Sequence, residues 1–317
     1  MTVIVVGAGI AGLACARELL DAGVPVRVLE RGPEVGGRLA SARCDGRYAD
    51  VGAAYLTAGD PAFAGRLATW RIDGLARPWT DTFAVYRGDG SRAEDTTGPM
   101  RWSAPGGLRS LAVDLARELD VTLNYEVTAL PAAAAVVLAM PGPQARRIAD
   151  LPAARRQRWS PAVTAVLTYP ERGWPDFHGA FVNGHPVLAT VCDDGDRRGD
   201  RAPVLVAHST AEFARRHERD PQAAGPELNK AVEDLFGVRA ISTRVHYWPY
   251  ATPEPPAGFS GFSAPSEGPG AGSRPSYARH GDVYLAGDAF GHPRVQTAWL
   301  SGRAAARAIL KNHKTER

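Results

Sequence analysis

The chain opens on a short β-branched run, Thr2–Val6, followed at once by Gly7-Ala8-Gly9-Ile10-Ala11-Gly12. Leu13–Ala22 then reads as a helix that Gly23 ends, and Val26–Leu29 is a second β-type run closed by Glu30. Further along, Ala104-Pro105-Gly106-Gly107-Leu108 predicts the start of a helix running to about Leu119, with a strand over Val121–Val127. Val163–Tyr169, Pro186–Val191 and Val204–Ser209 read as strands, and Pro61–Trp70, Ala211–Arg219 and Pro226–Phe236 as helices. Ala240–Trp248 is a further strand, with Thr243, Val245 and Tyr247 alternating against Arg244, His246 and Trp248. Asp282–Asp288 is a strand ending in Gly-Asp, and a last helix opens in Arg294–Gly302 and continues to about Leu310.

Strand, Gly-rich turn, helix, strand and acid together make a βαβ dinucleotide fingerprint in its proper context. Gly7 permits the tight turn, Gly9 lets backbone approach a pyrophosphate, and Gly12 lets the helix pack on the strand. The helix N-terminus then offers free N–H groups and the positive end of its dipole to phosphate. Glu30, eighteen residues after Gly12, suits ribose hydroxyls, and its charge opposes a 2′-phosphate. The fingerprint by itself fits NAD and FAD equally. A second GxGxxG is absent, which argues against a reductase with its own nicotinamide domain, and without a CxxC pair the chain does not read as a disulfide reductase.

Composition narrows the classes. The 317 residues are 44% hydrophobic and 22% charged, with a formal charge of +3, which excludes a disordered or fibrous chain and gives no electrostatic footprint for nucleic acid or an anionic membrane. Cys15, Cys44 and Cys192 are odd in number and widely spaced, so a reducing cytoplasm is expected, with no disulfide framework and no metal site. The N-terminal apolar run has no basic flank, and Ala129–Met140 is too short to span a bilayer. Asp193–Arg201 lacks the ligand alternation of a calcium loop and reads as a solvated hairpin turn. Pro253–Pro275 carries six prolines and five glycines, predicts no regular structure, and is a candidate lid or a passive insertion. The basic residues are lopsided: three lysines (Lys230, Lys311, Lys314) against thirty-four arginines.

Glu34-Val35-Gly36-Gly37-Arg38, then Asp50-Val51-Gly52-Ala53-Ala54-Tyr55, and finally Gly287-Asp288 before the last helix resemble the flavin-binding oxidoreductases that include amine oxidases, phytoene desaturases and renalase. The resemblance implies an α/β fold: a Rossmann-type FAD-binding domain, glutathione-reductase-like and of amine oxidase type, interleaved with an α+β substrate domain. It implies non-covalent FAD, with Gly37 and Arg38 along the pyrophosphate, Asp288 on the ribityl chain, and the backbone of Val295, Gln296 and Ala298 at the flavin pyrimidine. Ile10, Ala11, Arg31, Gly52, Ala53, Ala54, Tyr55, Val127, Met140 and Pro141 are cofactor-lining by the same likeness, Val136–Pro141 matching a buried strand that leads into a turn near the flavin. The FAD domain is then expected over 1–60, 101–150 and 276–317, and the substrate domain over 61–100 and 151–275, with the site between them. Only eight residues separate Val127 from Val136, so the family's accessory β-hairpin there must be truncated.

His246-Tyr247-Trp248-Pro249-Tyr250-Ala251 and Arg294–Gly302 resemble segments of small bacterial flavoproteins related to renalase, as does Ala49–Thr57. Pro249 and Gln296-Thr297 depart from that pattern and leave the substrate open. Tyr55, His246, Trp248 and Tyr250 are the substrate-facing candidates; the bland alternative makes Trp248 and Tyr250 core aromatics and His246 a structural histidine. The likeness implies an oxidase that moves hydride from a small-molecule substrate to flavin N5 and on to O2. Dihydronicotinamide isomers, as in renalase, need no base, which agrees with the lysine shortage, since amine oxidases of this fold place a lysine near N5. A flavin amine oxidase or desaturase, and a non-catalytic dinucleotide-binding module, are the rival readings. Oligomeric state is left open by the sequence.

Overall fold

The computed structural model describes residues 2–44, 46–255 and 276–315. Two compact units divide them, each discontinuous in sequence: 1–37, 115–159 and 253–317 in the first, 38–114 and 160–252 in the second. The expected domain borders at 60, 100, 150 and 275 differ from these. Residues 38–60 pair and pack within the second unit, because their hairpin, Ser41–Cys44 with Arg47–Asp50, buries Cys44, Ala49 and Val51 against Val166, Val204 and Val206. The proposed lid lies outside the described residues from position 256 onward.

In the first unit the sheet runs, edge to edge, Ala278–His280, Val283–Leu285, Ala135–Leu138, Val3–Val6, Val26–Leu29, Asp120–Thr122. All neighbours are parallel except the first pair, which is an antiparallel hairpin. Such a doubly covered sheet needs apolar residues on both faces of each strand, and Val3, Val5, Val6 and Ala135–Leu138 are all buried. One face carries Val6, Val136, Leu138 and Leu285 packed with Leu151 and Ala154. The first helix, Ile10–Asp21, has a buried stripe through Leu13, Ala14 and Leu19 and packs against the last helix, Val295–Thr315. Two glycines set these close approaches. A Cβ at Gly12 would lie 1.9 Å from the Gly7 carbonyl oxygen, and one at Gly302 would lie 1.9 Å from that of Ala11.

Two expected elements are shorter than the pattern predicts. The strand over Val121–Val127 is confined to Asp120–Thr122. Asn124 adopts a left-handed φ of 53°, and the N–H groups of Asn124 and Tyr125 turn to donate to the Gly32 and Glu30 carbonyls. Val127 therefore sits in irregular chain packed against the sheet core. Likewise the helix to Leu119 spans only Arg109–Leu115; turns follow, with Glu118 at φ 62°. Among the described residues no strand lies between Thr122 and Ala135, as the truncated hairpin requires. The Gly-Asp strand is Val283–Leu285, ended by Gly287 at φ 152°.

The second unit holds a seven-stranded sheet in the order Ser242–Pro253, Trp159–Thr168, Val204–Ser209, Leu188–Asp193, Gly179–Asn183, Arg77–Arg87, Thr96–Ser103. Residue alternation sorts its two faces. Leu205 and Ala207 join Val163, Ala165, Leu167 and Val191 under the helix Ala224–Phe236, which contributes Leu228, Val232 and Phe236. Val204, Val206 and Val166 point to the opposite face, under the hairpin. The alternation of the last strand is realised as expected: Val245 and Tyr247 lie on the helix-side core, and Trp248 on the hairpin side.

Asp193–Arg201 is not a solvated turn. Asp194–Arg198 is a short helix whose N-cap, Asp193, accepts from the Asp196 N–H at 2.8 Å, and whose C-cap, Gly199, is left-handed at φ 83°. Asp193, Asp194 and Arg197 have no exposed surface. Acid–base pairing makes this possible: Arg172 meets Asp193 at 2.5 Å, and Arg197 forks onto Asp194.

The glycine packing gives a paired prediction. Gly302→Ala forces the two helices apart and should cost about 1–3 kcal/mol. Gly65→Ala fills open space in the interior of the helix Pro61–Ile72 and should add up to about 1 kcal/mol. Thermal unfolding of the two variants beside the parent checks both, and equal shifts would contradict the packing argument.

Candidate functional site

The candidate residues fall into two sets, one in each unit. In the first unit the opening strand ends at Val6, and the chain turns through Gly7 at φ 104°, whose Cβ direction is closed by the Ala139 carbonyl oxygen at 2.7 Å. Gly9 occupies the N-cap of the first helix without a side-chain cap. The N–H groups of Ile10, Ala11 and Gly12 precede the first helical hydrogen bond, from Leu13 to the Gly9 carbonyl at 3.0 Å, so they point forward as free donors. Gly36 donates to the Ala8 carbonyl at 2.8 Å, and a Cβ at Gly37 would lie 3.3 Å from the Gly9 Cα, so this second glycine turn crosses directly over the first. A Cβ at Gly9 itself would meet nothing within 4 Å. Open space over bare helix N–H groups, walled by glycine backbone, fits a dinucleotide pyrophosphate.

Glu30 stands at the end of the second strand. Its Oε2 accepts from the Ala8 N–H at 2.7 Å and its Oε1 from the Gly32 N–H at 2.6 Å, which fixes the carboxylate beside the glycine turn. A carboxylate has about four acceptor sites, so two remain for ribose hydroxyls. Arg31 is exposed. Met140 packs with Val127 against the sheet core, and Pro141 caps the short helix Gly142–Ala145. Gly287 donates to Ser301 Oγ at 2.9 Å, which ties the Gly-Asp turn to the last helix and buries Asp288. That helix starts at Val295, with Gln296 half-buried and Ala298 buried, and its N-terminal dipole suits a site where negative charge develops.

In the second unit, the Asp50–Tyr55 segment is held almost atom by atom. Arg197 donates to the Asp50 carbonyl at 3.2 Å and to the Ala54 carbonyl at 2.9 Å. The Trp248 indole N–H donates to the Val51 carbonyl at 2.8 Å, and His208 Nε2 meets the Gly52 carbonyl at 2.9 Å. The Ala53 N–H donates to the Arg38 carbonyl at 2.8 Å. The Asp50 carboxylate accepts from Ser41 Oγ at 2.5 Å and from the Leu108 N–H at 3.0 Å, and burial pushes its pKa up against the pull of Arg197. Arg38, expected along a pyrophosphate, sends Nη1 to the Ala251 carbonyl at 3.1 Å. The Tyr55 ring stands edge-on to Phe83, with centroids 5.5 Å apart.

Trp248 thus acts as a brace for this loop. The His246 ring lies tilted against it, with centroids 4.3 Å apart, and is pushed below its ordinary pKa by burial and, secondarily, by Arg109, so it is neutral near pH 7. Tyr250 follows on the same strand face and is half-buried. Arg197, Asp194 and His208 are braces that the sequence pattern missed. Asp193, with Gly199 six residues on and basic residues between, carried the helix-capping signal that could have found the first two.

A carbonyl only accepts, so His208 must carry its proton on Nε2. Burial holds its pKa down at about 4. The neutral form is the one the fold uses, so this contribution is full above the unfolded value of about 6.5 and is lost as pH falls from there through 4. The loss is about 2–3 kcal/mol. His208→Gln, which keeps a donor, should flatten the stability difference between pH 7 and pH 4.5 measured by urea unfolding; an unchanged slope would remove His208 from this role.

Residues 10–73 and 83–310 match the protein family described as flavin containing amine oxidoreductase. A 55-residue stretch is 51% identical to "Possible lysine-specific histone demethylase 1" of Drosophila melanogaster, over 17% of this chain and 6% of that protein. Among solved structures, a triple mutant of putrescine oxidase superposes with a TM-score of 0.76 at 16% identity, over 98% of this chain and all of that one. A protein from Exiguobacterium sp. 255-15, described as a protoporphyrinogen oxidase, gives 0.75 at 14%, over 98% and 99%. These two likenesses show the fold. Among the described residues no helix is long and apolar enough to cross a membrane. With a glycine cradle that fits the pyrophosphate and a family match spanning most of its length, the chain belongs to the flavin-containing amine oxidoreductases, α/β proteins with a Rossmann-type domain that bind FAD non-covalently.

Proposed function

We infer that this chain is an oxidase of dihydronicotinamide substrates, the 2- and 6-dihydro isomers of NAD(P), in the manner of renalase. FAD, when bound, would supply the two-electron acceptor for the hydride, with O2 as final oxidant and H2O2 as the product. The observation that carries the reading is where the lysines stand. Lys230 lies on the exposed side of the helix Ala224–Phe236, paired with Asp234 one turn on. Lys311 and Lys314 sit in the last turns of the C-terminal helix, sixteen and nineteen residues after Val295. At about 1.5 Å per residue they are more than about 20 Å from that helix's N-terminus. Neither of these two positions therefore lies at the N-terminal turn of that helix.

The protein's own groups are suited to binding and orientation rather than to proton removal. The N–H groups at Ile10–Gly12 hold phosphate charge, and Glu30 takes ribose hydroxyls. Arg197, Trp248 and His208 each fix one or two carbonyls of Asp50–Ala54, so that Tyr55 is presented from a rigid loop. His246, held neutral, adds no proton near pH 7. A dihydropyridine carries its reducing electrons in the ring and needs no proton taken from carbon or nitrogen before hydride leaves, so a site without a base suffices.

Oxidation of an amine is the second reading, favoured by the family description. Anaerobic mixing of the oxidised holoprotein with 6-dihydro-NAD, and separately with an amine panel that includes putrescine, separates the two. Fast bleaching of the flavin by the dinucleotide and none by amines is expected. Bleaching by an amine alone would establish the second reading instead.

A further inference from the structure

We propose that Arg101 is the recognition group for an oxyanion, carboxylate or phosphate, carried on the substrate. Arg101 lies on the edge strand Thr96–Ser103 and is 6% exposed. Its guanidinium carbon stands 4.2 Å from the Phe83 ring centroid, 5.3 Å from that of Tyr55 and 5.9 Å from that of Phe181. Nη1 donates to the Asp81 main-chain carbonyl at 2.6 Å, while the Asp81 carboxylate is turned to Thr82 Oγ1. Nε has no partner, and among the described residues no carboxylate pairs with this cation.

Two other enclosed arginines of this unit are compensated by carboxylates. Arg197 forks onto Asp194, and Arg172 meets Asp193. Burying a guanidinium without a counter-ion is costly, and three aromatic faces with one neutral carbonyl offset only part of that cost. An anion that completes the fork would offset the rest, since a guanidinium presents paired N–H donors matched to carboxylate and phosphate oxygens. The cage shares Tyr55 with the loop Asp50–Ala54, so the anion belongs on the molecule that Tyr55 faces. Here the inference rests on the proposed function, which places Tyr55 at the substrate. A dinucleotide substrate supplies phosphate, whereas the same cation repels the ammonium group of an alkylamine.

The test uses the FAD-loaded protein, Arg101→Met and Arg101→Lys, titrated with sodium phosphate and with sodium acetate against sodium chloride at equal ionic strength. Thermal unfolding and the flavin absorption spectrum are both read. Phosphate or acetate should stabilise the parent saturably and perturb its spectrum, and whichever anion does so identifies the group. Arg101→Met should bind that anion about 30-fold more weakly or worse, while unfolding at the same temperature as the parent or higher, because an uncompensated charge has gone. Arg101→Lys should retain part of the response. No saturable response in the parent would overturn the proposal. So would an undiminished response in Arg101→Met, or an Arg101→Met protein that is destabilised while Arg101→Lys loses nothing. Dihydronicotinamide mononucleotide and its phosphate-free riboside then separate this from the wider reading. If neither reduces the flavin, the substrate assignment fails while the anion response stands. Equal reduction by both with no anion response sinks the Arg101 proposal alone.

Discussion

The buried guanidinium of Arg197 is the interaction on which the second unit turns. It has no exposed surface, and it joins the short helix Asp194–Arg198 to the two ends of the segment Asp50–Ala54. A charge so placed is tolerable only because Asp194 pairs with it and main-chain carbonyls take its other donors. Remove either set and the loop loses its shape and an unpaired charge is left in the core. The hairpin Ser41–Asp50, the capped helix and the sheet face beneath are therefore cooperative, each needing the others to satisfy its polar groups.

The first unit is governed by a different constraint, the closeness of backbone to backbone. Gly12 and Gly302 allow separations from carbonyl oxygens that no side chain permits, which brings the first and last helices together and leaves bare N–H groups at the N-terminus of the first. The charge-holding work there is done by helix geometry rather than by side chains. This division explains how a chain with so few lysines still builds a dinucleotide site: the phosphate end needs backbone donors and one carboxylate, not amines.

The two units also treat charge differently in functional terms. Glu30 and the glycine turns prepare a place for a cofactor common to a whole family. In the second unit, the Arg101 guanidinium is set among aromatic rings and His246 is held neutral beside Trp248. Departures from the renalase-related pattern, at Pro249 and Gln296-Thr297, fall in the strand Ser242–Pro253 and at the start of the last helix.

The sequence by itself determined the βαβ unit, its acid, the late Gly-Asp turn and the alternating faces of the strand through Trp248. These are local: turn geometry, helix capping and residue periodicity act over a few positions. It also set their failures. Asn124 and Glu118 take left-handed conformations where an expected strand and helix are cut short; at Asn124 the Gly32 and Glu30 carbonyls draw the backbone aside. Only the tertiary structure decided that Asp193, Asp194 and Arg197 are buried, and that Arg197, His208 and Trp248 brace a loop 143 to 197 residues away in sequence. Only it left Arg101 enclosed by rings from three different segments. Whether a charged side chain is solvated or interior depends on partners that the sheet brings together, and no periodicity along the chain encodes them.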